Sequence, residues 1–377
     1  MSKIYCYYFP NWHVDARNEK WHGTGWTEWQ VVKYATPRFE GHLQPKVPLW
    51  GYEDESDPEV MVKKIDTASS YGIDGFIFDW YWPDGGMYRE KCLEEGFLKA
   101  PNCDKLEFGI MLCNHDASLA HPISRSLKSV IGESCVITPE RFKELTDYCI
   151  ENYFPRKNYM RVDGKIMFSV FNISKFVADM GDLETAAKAV ADFRQRVRDA
   201  DLGEVHFSAM DGSAMFLADY NGAEDIDGKV NEVARTLTLD SWCTHLNGGM
   251  REIGTFPAVD YGDWIEYWPG YYKQKSKRYD IPYNPCVSSG WDSSPRTVQS
   301  EIYENVGYPY CAVAVNNTSQ NFEKALRNAK TFIQSEESTG KFITISSWNE
   351  WTEGSYLEPD EENGYGFLEA VKRVFAD

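Results

Sequence analysis

Basic charge is scarce in this chain. Lysine and arginine number 39 against 58 aspartate and glutamate, a formal net charge of −19. A nucleic-acid binder would instead present a basic face. No apolar run approaches the roughly 18 residues of a membrane span. Neither a nucleic acid nor a membrane is therefore expected as a partner. The nine cysteines include no CxxC pair. Scattered through apolar runs and odd in number, they read as free buried thiols in a reducing compartment. No HExxH or His/Cys cluster offers a metal site among the seven histidines, and no GxxxxGK[ST] or GxGxxG loop cradles a phosphate. No cofactor is expected. No apolar leader precedes the first strand-like run, "KIYCYYF", so the expected location is cytoplasmic. A trimmed periplasmic or secreted form would begin in the same way.

Aromatic residues are plentiful. Thirteen Trp, 23 Tyr and 20 Phe make up 15% of the chain. Such rings pack in cores, and they also suit the apolar C–H faces of sugars.

Eight short apolar runs resemble strands, at residues 3–9, 75–82, 107–113, 165–171, 205–210, 241–246, 282–288 and 342–348. Most are apolar on both faces, as strands buried in a parallel sheet are. Helical patterns fall between them. The run 57–72 has Asp57 as a capping residue, Pro58 at the first helical position and Gly72 as a stop. Runs 138–154, 182–200 and 319–337 also follow the helical period. The alternation predicts an α/β (β/α)8 TIM barrel, one domain over residues 1–377, with an extended first βα loop at about 10–56. An open doubly wound sheet is the rival.

Barrel enzymes build their sites at the C-terminal strand ends. Those ends carry Asn11, Trp12 and His13; Asp79, Trp80, Tyr81 and Trp82; Asn114, His115 and Asp116; Asn172; Asp211; His245 and Asn247; Trp291, Asp292 and Arg296; and Trp348, Asn349, Glu350, Trp351 and Glu353. Each alone could be turn chemistry. Together they form the rim a polyhydroxylated ligand requires. Trp12, Trp80, Trp291 and Trp348 are sugar-stacking candidates. Asp79, Asn114, His115, Asp292 and Arg296 are hydrogen-bonding candidates, and Arg296 would also suit an acidic sugar. Glu28, in the long loop, is a candidate sugar-binding carboxylate, and Tyr81 and Trp351 complete the candidate binding set. Alternation allows only one of Tyr7 and Tyr8 to face the barrel interior.

Glu350 and Glu353 stand out in "SSWNEWTEGSYLEPD". They can act as a pair only if the chain turns after Trp348, because residues three apart on a strand face opposite ways. Paired carboxylates serve glycoside hydrolysis as acid and as base or nucleophile. Flanking indoles would raise a carboxyl pKa by desolvation.

The motifs "YYFPNWH", "GTGWTEW", "FEGHLQP", "GIDGFIFDWYW", "GWDSSPR" and "WNEWTEGSYLEPD" resemble the WbsX-like proteins, which are related to glycoside hydrolase family 99. The resemblance runs from the first strand to the closing helix. It implies a (β/α)8 barrel and a retaining, metal-free glycosidase acting on an oligosaccharide or polysaccharide. It also implies that Glu350 is the base toward the sugar 2-hydroxyl, that a 1,2-anhydro sugar forms, and that Glu353 is the acid/base. "GWDSSPR" and the long first loop resemble the WbsX-like branch more than the mannosidases. Two rivals stand beside this reading. One is a glycosyltransferase, with Asp199/Asp201 and Asp225/Asp227 as DxD spacings. The other is a non-catalytic carbohydrate-binding barrel.

Overall fold

The computed structural model describes residues 2–118, 121–126, 131–212, 214, 224–245 and 255–376. Nine parallel segments form the central sheet: β1 (Lys3–Tyr8), β2 (Gly75–Trp80), β3 (Glu107–Leu112), β4 (Lys165–Val170), β5 (Val205–Met210), β6 (Ser241–Cys243), β7 (Tyr283–Asn284), β8 (Cys286–Ser288) and β9 (Phe342–Ser346). Their order is β7-β6-β5-β4-β3-β2-β1-β9-β8. The two ends of that path are neighbours in sequence, separated only by Pro285. Tyr283 pairs with Trp242, and Cys286 pairs with Thr344. Proline lacks the N–H that a continuous ladder needs. The seventh strand therefore passes from one neighbour to the other at Pro285, and the barrel closes there. The first strand pairs with the last, Tyr5 opposite Thr344, so the predicted eight-station barrel is the fold observed.

Strand alternation sorts side chains into two layers. Tyr5, Tyr7, Ile77, Met111 and Met167 fill the barrel interior. Ile4, Cys6, Tyr8, Phe76, Phe78, Phe108 and Phe168 face outward to the helices. Tyr7 is thus the interior tyrosine, and Tyr8 packs outward with its hydroxyl at Met61.

The helices are α1 (Ala16–His22), α2 (Trp29–Lys33), α3 (Pro58–Ser70), α4 (Pro139–Asn152), α5 (Ile173–Asp179), α6 (Leu183–Asp199), α7 (Ile226–Thr236), α8 (Tyr261–Arg278), α9 (Ser319–Ile333) and α10 (Gly366–Phe375). Side chains of Asp57, Thr138, Asp182 and Thr318 accept first-turn N–H bonds. Each such cap contributes about 1 kcal/mol. The long first loop contains α1 and α2 and packs on the loop after the seventh strand. There Arg38 donates to Gln299 O at 2.7 Å and Glu301 O at 2.6 Å. All nine cysteines are free, and seven of them are buried.

Candidate active site

After β9 the chain forms a tight hairpin, β10 (Asn349–Glu350) against β11 (Ser355–Tyr356), with a single 3₁₀ turn over Trp351–Glu353 between them. Residues three apart eclipse in such a turn, which puts Glu350 and Glu353 on one side. Gly354 makes the exit possible. Its φ is +61°, and a Cβ there would sit 2.6 Å from Asp292 Cβ.

Arg296 joins the two carboxyls. Its Nη1 pairs with Glu353 Oε1, and its Nη2 lies 3.5 Å from Glu350 Oε1. Its Nε and Nη2 donate to Glu28 Oε1 at 3.2 and 3.1 Å. Nη1 also donates to the Tyr308 hydroxyl (2.6 Å), which donates in turn to Glu353 Oε1 (2.8 Å). Glu28, fully buried at the start of α2, also accepts from Thr352 Oγ1 at 2.6 Å and Asn11 Nδ2 at 2.5 Å.

The electrostatics separate these acids. Burial would raise Glu28, yet the Arg296 charge and the Thr352 bond hold it down to about 2. Burial, and then the Glu350 charge, push Glu353 up to about 7 against the pull of Arg296 and Tyr308. Burial also raises Glu350, but Arg296 and hydrogen bonds from Glu353 and Ser347 favour its charged form. Asp79, on the interior face at the end of β2, is held well above the carboxylate range by burial and then by Glu350. Its Oδ1 has no hydrogen-bond partner and lies 3.9 Å from His245 Nε2. Burial brings His245 down to about 4, so the imidazole is neutral.

The sequence motifs lock into one another. Asp292 Oδ2 meets His42 Nε2 at 2.7 Å and accepts from Gln44 Nε2 at 2.6 Å, which ties "FEGHLQP" to "GWDSSPR". The Asn349 side-chain amide accepts from Phe9 N (2.8 Å) and donates to Phe9 O (2.9 Å). It thereby extends the β1–β9 pairing past the strand ends. Asn349 also donates to Glu55, which shares the buried Lys64 with Glu358. Trp351 Nε1 donates to Glu358 Oε2 at 2.8 Å, and its ring stacks on Tyr356 at 3.8 Å.

Several expected ligand contacts therefore have other roles. Trp12, Trp348 and Trp351 have no exposed surface. Trp12 packs on Trp29, and Trp348 packs on Phe76 in the outer layer. Trp80 also points outward, between Trp82 and Tyr153. These four rings offer no face for stacking, because each lies inside an apolar layer. Asp292 spends its oxygens on His42, Gln44 and the Ser294 N–H. Asn114 spends its amide on the Asn172 backbone. Arg296 is committed to Glu28, Glu350, Glu353 and Tyr308, not to Asp292, so no fork remains for an acidic sugar. The DxD spacings are structural: Asp225 caps α7, Asp227 pairs with Arg278, and Asp199 accepts from Gln195. Asn247 lies outside the described residues.

Half-buried Trp291 lies beside Tyr308, centroids 6.3 Å apart, and Tyr81 and His115 line the barrel mouth with His245, which faces Asp79. Tyr81, His115, Phe171, His245 and Tyr7 form a chain of rings, with successive centroids 4.7–5.9 Å apart. Tyr308 and Arg89 were not anticipated. Tyr308 sits in a loop with no strand or helix pattern. Arg89 is a lone arginine whose backbone has φ +63°, and its sequence neighbours give no sign of that. Among the described residues, no group of three His, Cys, Asp or Glu side chains is arranged for a metal. No described helix is long and apolar enough to cross a membrane.

Solved structures share the fold. The family 99 endo-alpha-mannosidase of Bacteroides thetaiotaomicron matches with a TM-score of 0.58 at 14% identity, covering 99% of this chain and 95% of that one. A glycoside hydrolase-like protein gives 0.61 at 15% identity, covering 99% and 94%. Beta-glucosidase 2 of Trichoderma reesei gives 0.52 at 9% identity, covering 100% and 98%. At these identities the likeness is one of fold, and the fold is the (β/α)8 barrel.

The family model described as Glycosyltransferase WbsX matches residues 4–371, and the chain belongs to that family. It is also 25% identical over 377 residues to the "Uncharacterized protein WxcX" of two strains of Xanthomonas campestris pv. campestris. The match takes in 99% of this chain and 49% of those proteins, so the chain spans about half the length of these curated relatives.

Proposed function

We propose that the chain is a retaining glycoside hydrolase acting on a polysaccharide or glycan. The observation that carries this reading is the Glu350–Glu353 pair, gathered by the one guanidinium of Arg296. Inverting enzymes hold their carboxyls roughly 6.5–9.5 Å apart to admit a water. Two carboxyls sharing one guanidinium favour the shorter separation of a retaining pair. With its pKa pushed up to about 7, Glu353 is suited to donate a proton near neutrality and take one back. Burial raises Glu350 and the Arg296 charge opposes that rise; Glu350 takes the role of base.

Glu350 takes the proton of the sugar 2-hydroxyl, and O2 attacks C1. The C1–O bond to the leaving group breaks as Glu353 protonates the departing oxygen. Glu353, now a carboxylate, deprotonates a water that opens the 1,2-anhydro ring at C1, and Glu350 returns its proton to O2.

The family's description favours a second reading, in which a sugar hydroxyl replaces water and the reaction is transfer. A panel of oligosaccharides and nucleotide sugars, run with wild type, Glu350→Gln and Glu353→Gln, separates the two. Hydrolysis lost in both variants is the expected result. Transfer from a nucleotide sugar without hydrolysis would overturn the hydrolase. Wild type and variants alike inactive on every substrate would favour a carbohydrate-binding barrel.

A further inference from the structure

We propose that Arg89 forms an oxyanion subsite beside the carboxyl pair, so that the saccharide bound there carries a carboxylate or phosphate group. The inference rests on the saccharide-processing reading above.

The two arginines of the site are in contrasting states. Arg296 is saturated by carboxylates. Arg89 is not paired with any carboxylate among the described residues. Its guanidinium lies over three rings, 5.0 Å from Phe9, 4.6 Å from Tyr81 and 4.5 Å from Tyr88. Its Nε is shut off from solvent without a partner, while the residue as a whole is half-buried. A guanidinium flanked by rings loses water on its faces and keeps its edge for a ligand. Its planar fork matches carboxylate or phosphate oxygens with two parallel bonds.

The position is built in advance. Arg89 is held at φ +63°, a costly conformation for a side chain of this size, and such strain collects at ligand clamps. The loop that carries it is pinned to α1. Arg17 Nη1 donates to Met87 O at 2.6 Å, the Tyr88 hydroxyl donates to Asn18 Oδ1 at 2.6 Å, and Arg89 N reaches Asp15 Oδ2 at 3.4 Å. The Phe9 ring under Arg89 also lies 5.4 Å from the Arg296 guanidinium, which places Arg89 beside the site. In a chain of net charge −19, an uncommitted cation here is a selective feature.

Calorimetric titration tests this without relying on catalysis. The probes are D-glucuronic acid, D-glucose and glucose 1-phosphate, and the proteins are wild type, Arg89→Lys and Arg89→Gln. Wild type is expected to bind an anionic probe at least about tenfold more tightly than glucose, the scale of a charge-assisted pair. The preference should weaken in Arg89→Lys, which keeps the charge without the fork, and vanish in Arg89→Gln. A response to glucuronic acid identifies a uronic acid, and a response to the phosphate alone identifies a phosphorylated sugar. Equal binding of all three by wild type overturns the subsite, whatever the folding of the variants. Cleavage of neutral glycans with no anion preference would leave the hydrolase standing and remove the subsite. Arg89-dependent binding with no cleavage of any glycan would do the reverse.

Discussion

Replacing Arg296 with methionine tests the electrostatic design of the site most directly. The side chain is 7% exposed and serves Glu28, Glu350 and Glu353. Glu28 gives the scale. Burial opposes its charge, yet its pKa drops from an ordinary 4.5 to about 2, a difference worth about 3 kcal/mol near neutrality. That agrees with the roughly 3–5 kcal/mol lost when one partner of a buried ion pair is removed. The sign with pH follows from the same values. A folded pKa below the unfolded one gives stability that is present above about 4.5 and lost as the pH falls toward 2. In Arg296→Met the three acids lack their counter-ion, so their folded pKa values rise and the variant is most stable in acid. Urea unfolding at pH 8 should show a loss of about 3–5 kcal/mol. The gap to wild type should shrink by about half or more near pH 5. A gap below about 1 kcal/mol, or one independent of pH, would refute Arg296 as the charge that holds the site together.

Two further outcomes follow from the geometry. With Glu353 as the acid at about 7, kcat/KM should fall about tenfold per pH unit on the alkaline side. In Tyr308→Phe, which removes a bond favouring the charged carboxylate, that limb should move to higher pH, and an unmoved limb would exclude Tyr308 as a tuning group. Lys64→Met leaves Glu55 and Glu358 buried without their cation. It should cost about 3–5 kcal/mol in urea unfolding, and a loss under about 1 kcal/mol would show that the network does not support the hairpin.

The sequence was informative where burial is two-sided. Strands such as "GFIFDWYW" and "KIMFSVF" are apolar on both faces because a barrel strand has side chains and helices on either side, and their ends pointed to Glu350, Glu353 and Asp79. It was silent about facing. Trp80 and Asp79 are adjacent, yet one packs outward and the other looks inward, and composition alone makes the tryptophan the better sugar contact. Trp12, Trp348 and Trp351 misled for the same reason, since an indole suits a core as well as a ligand. Pro285 was a readable break inside the seventh run, and it marks where the strand changes partner. Arg89 was out of reach, because its value comes from an unusual backbone angle and three rings brought from two separate segments.

The Asn349 amide has a consequence for the lifetime of the protein. That side chain gives Phe9 both a donor and an acceptor, a combination only an amide provides. Slow loss of ammonia would leave an aspartate whose second oxygen faces the Phe9 carbonyl and Glu55, with no N–H for either. Chemical ageing at one neutral residue could thus disarm the site while both glutamates remain intact.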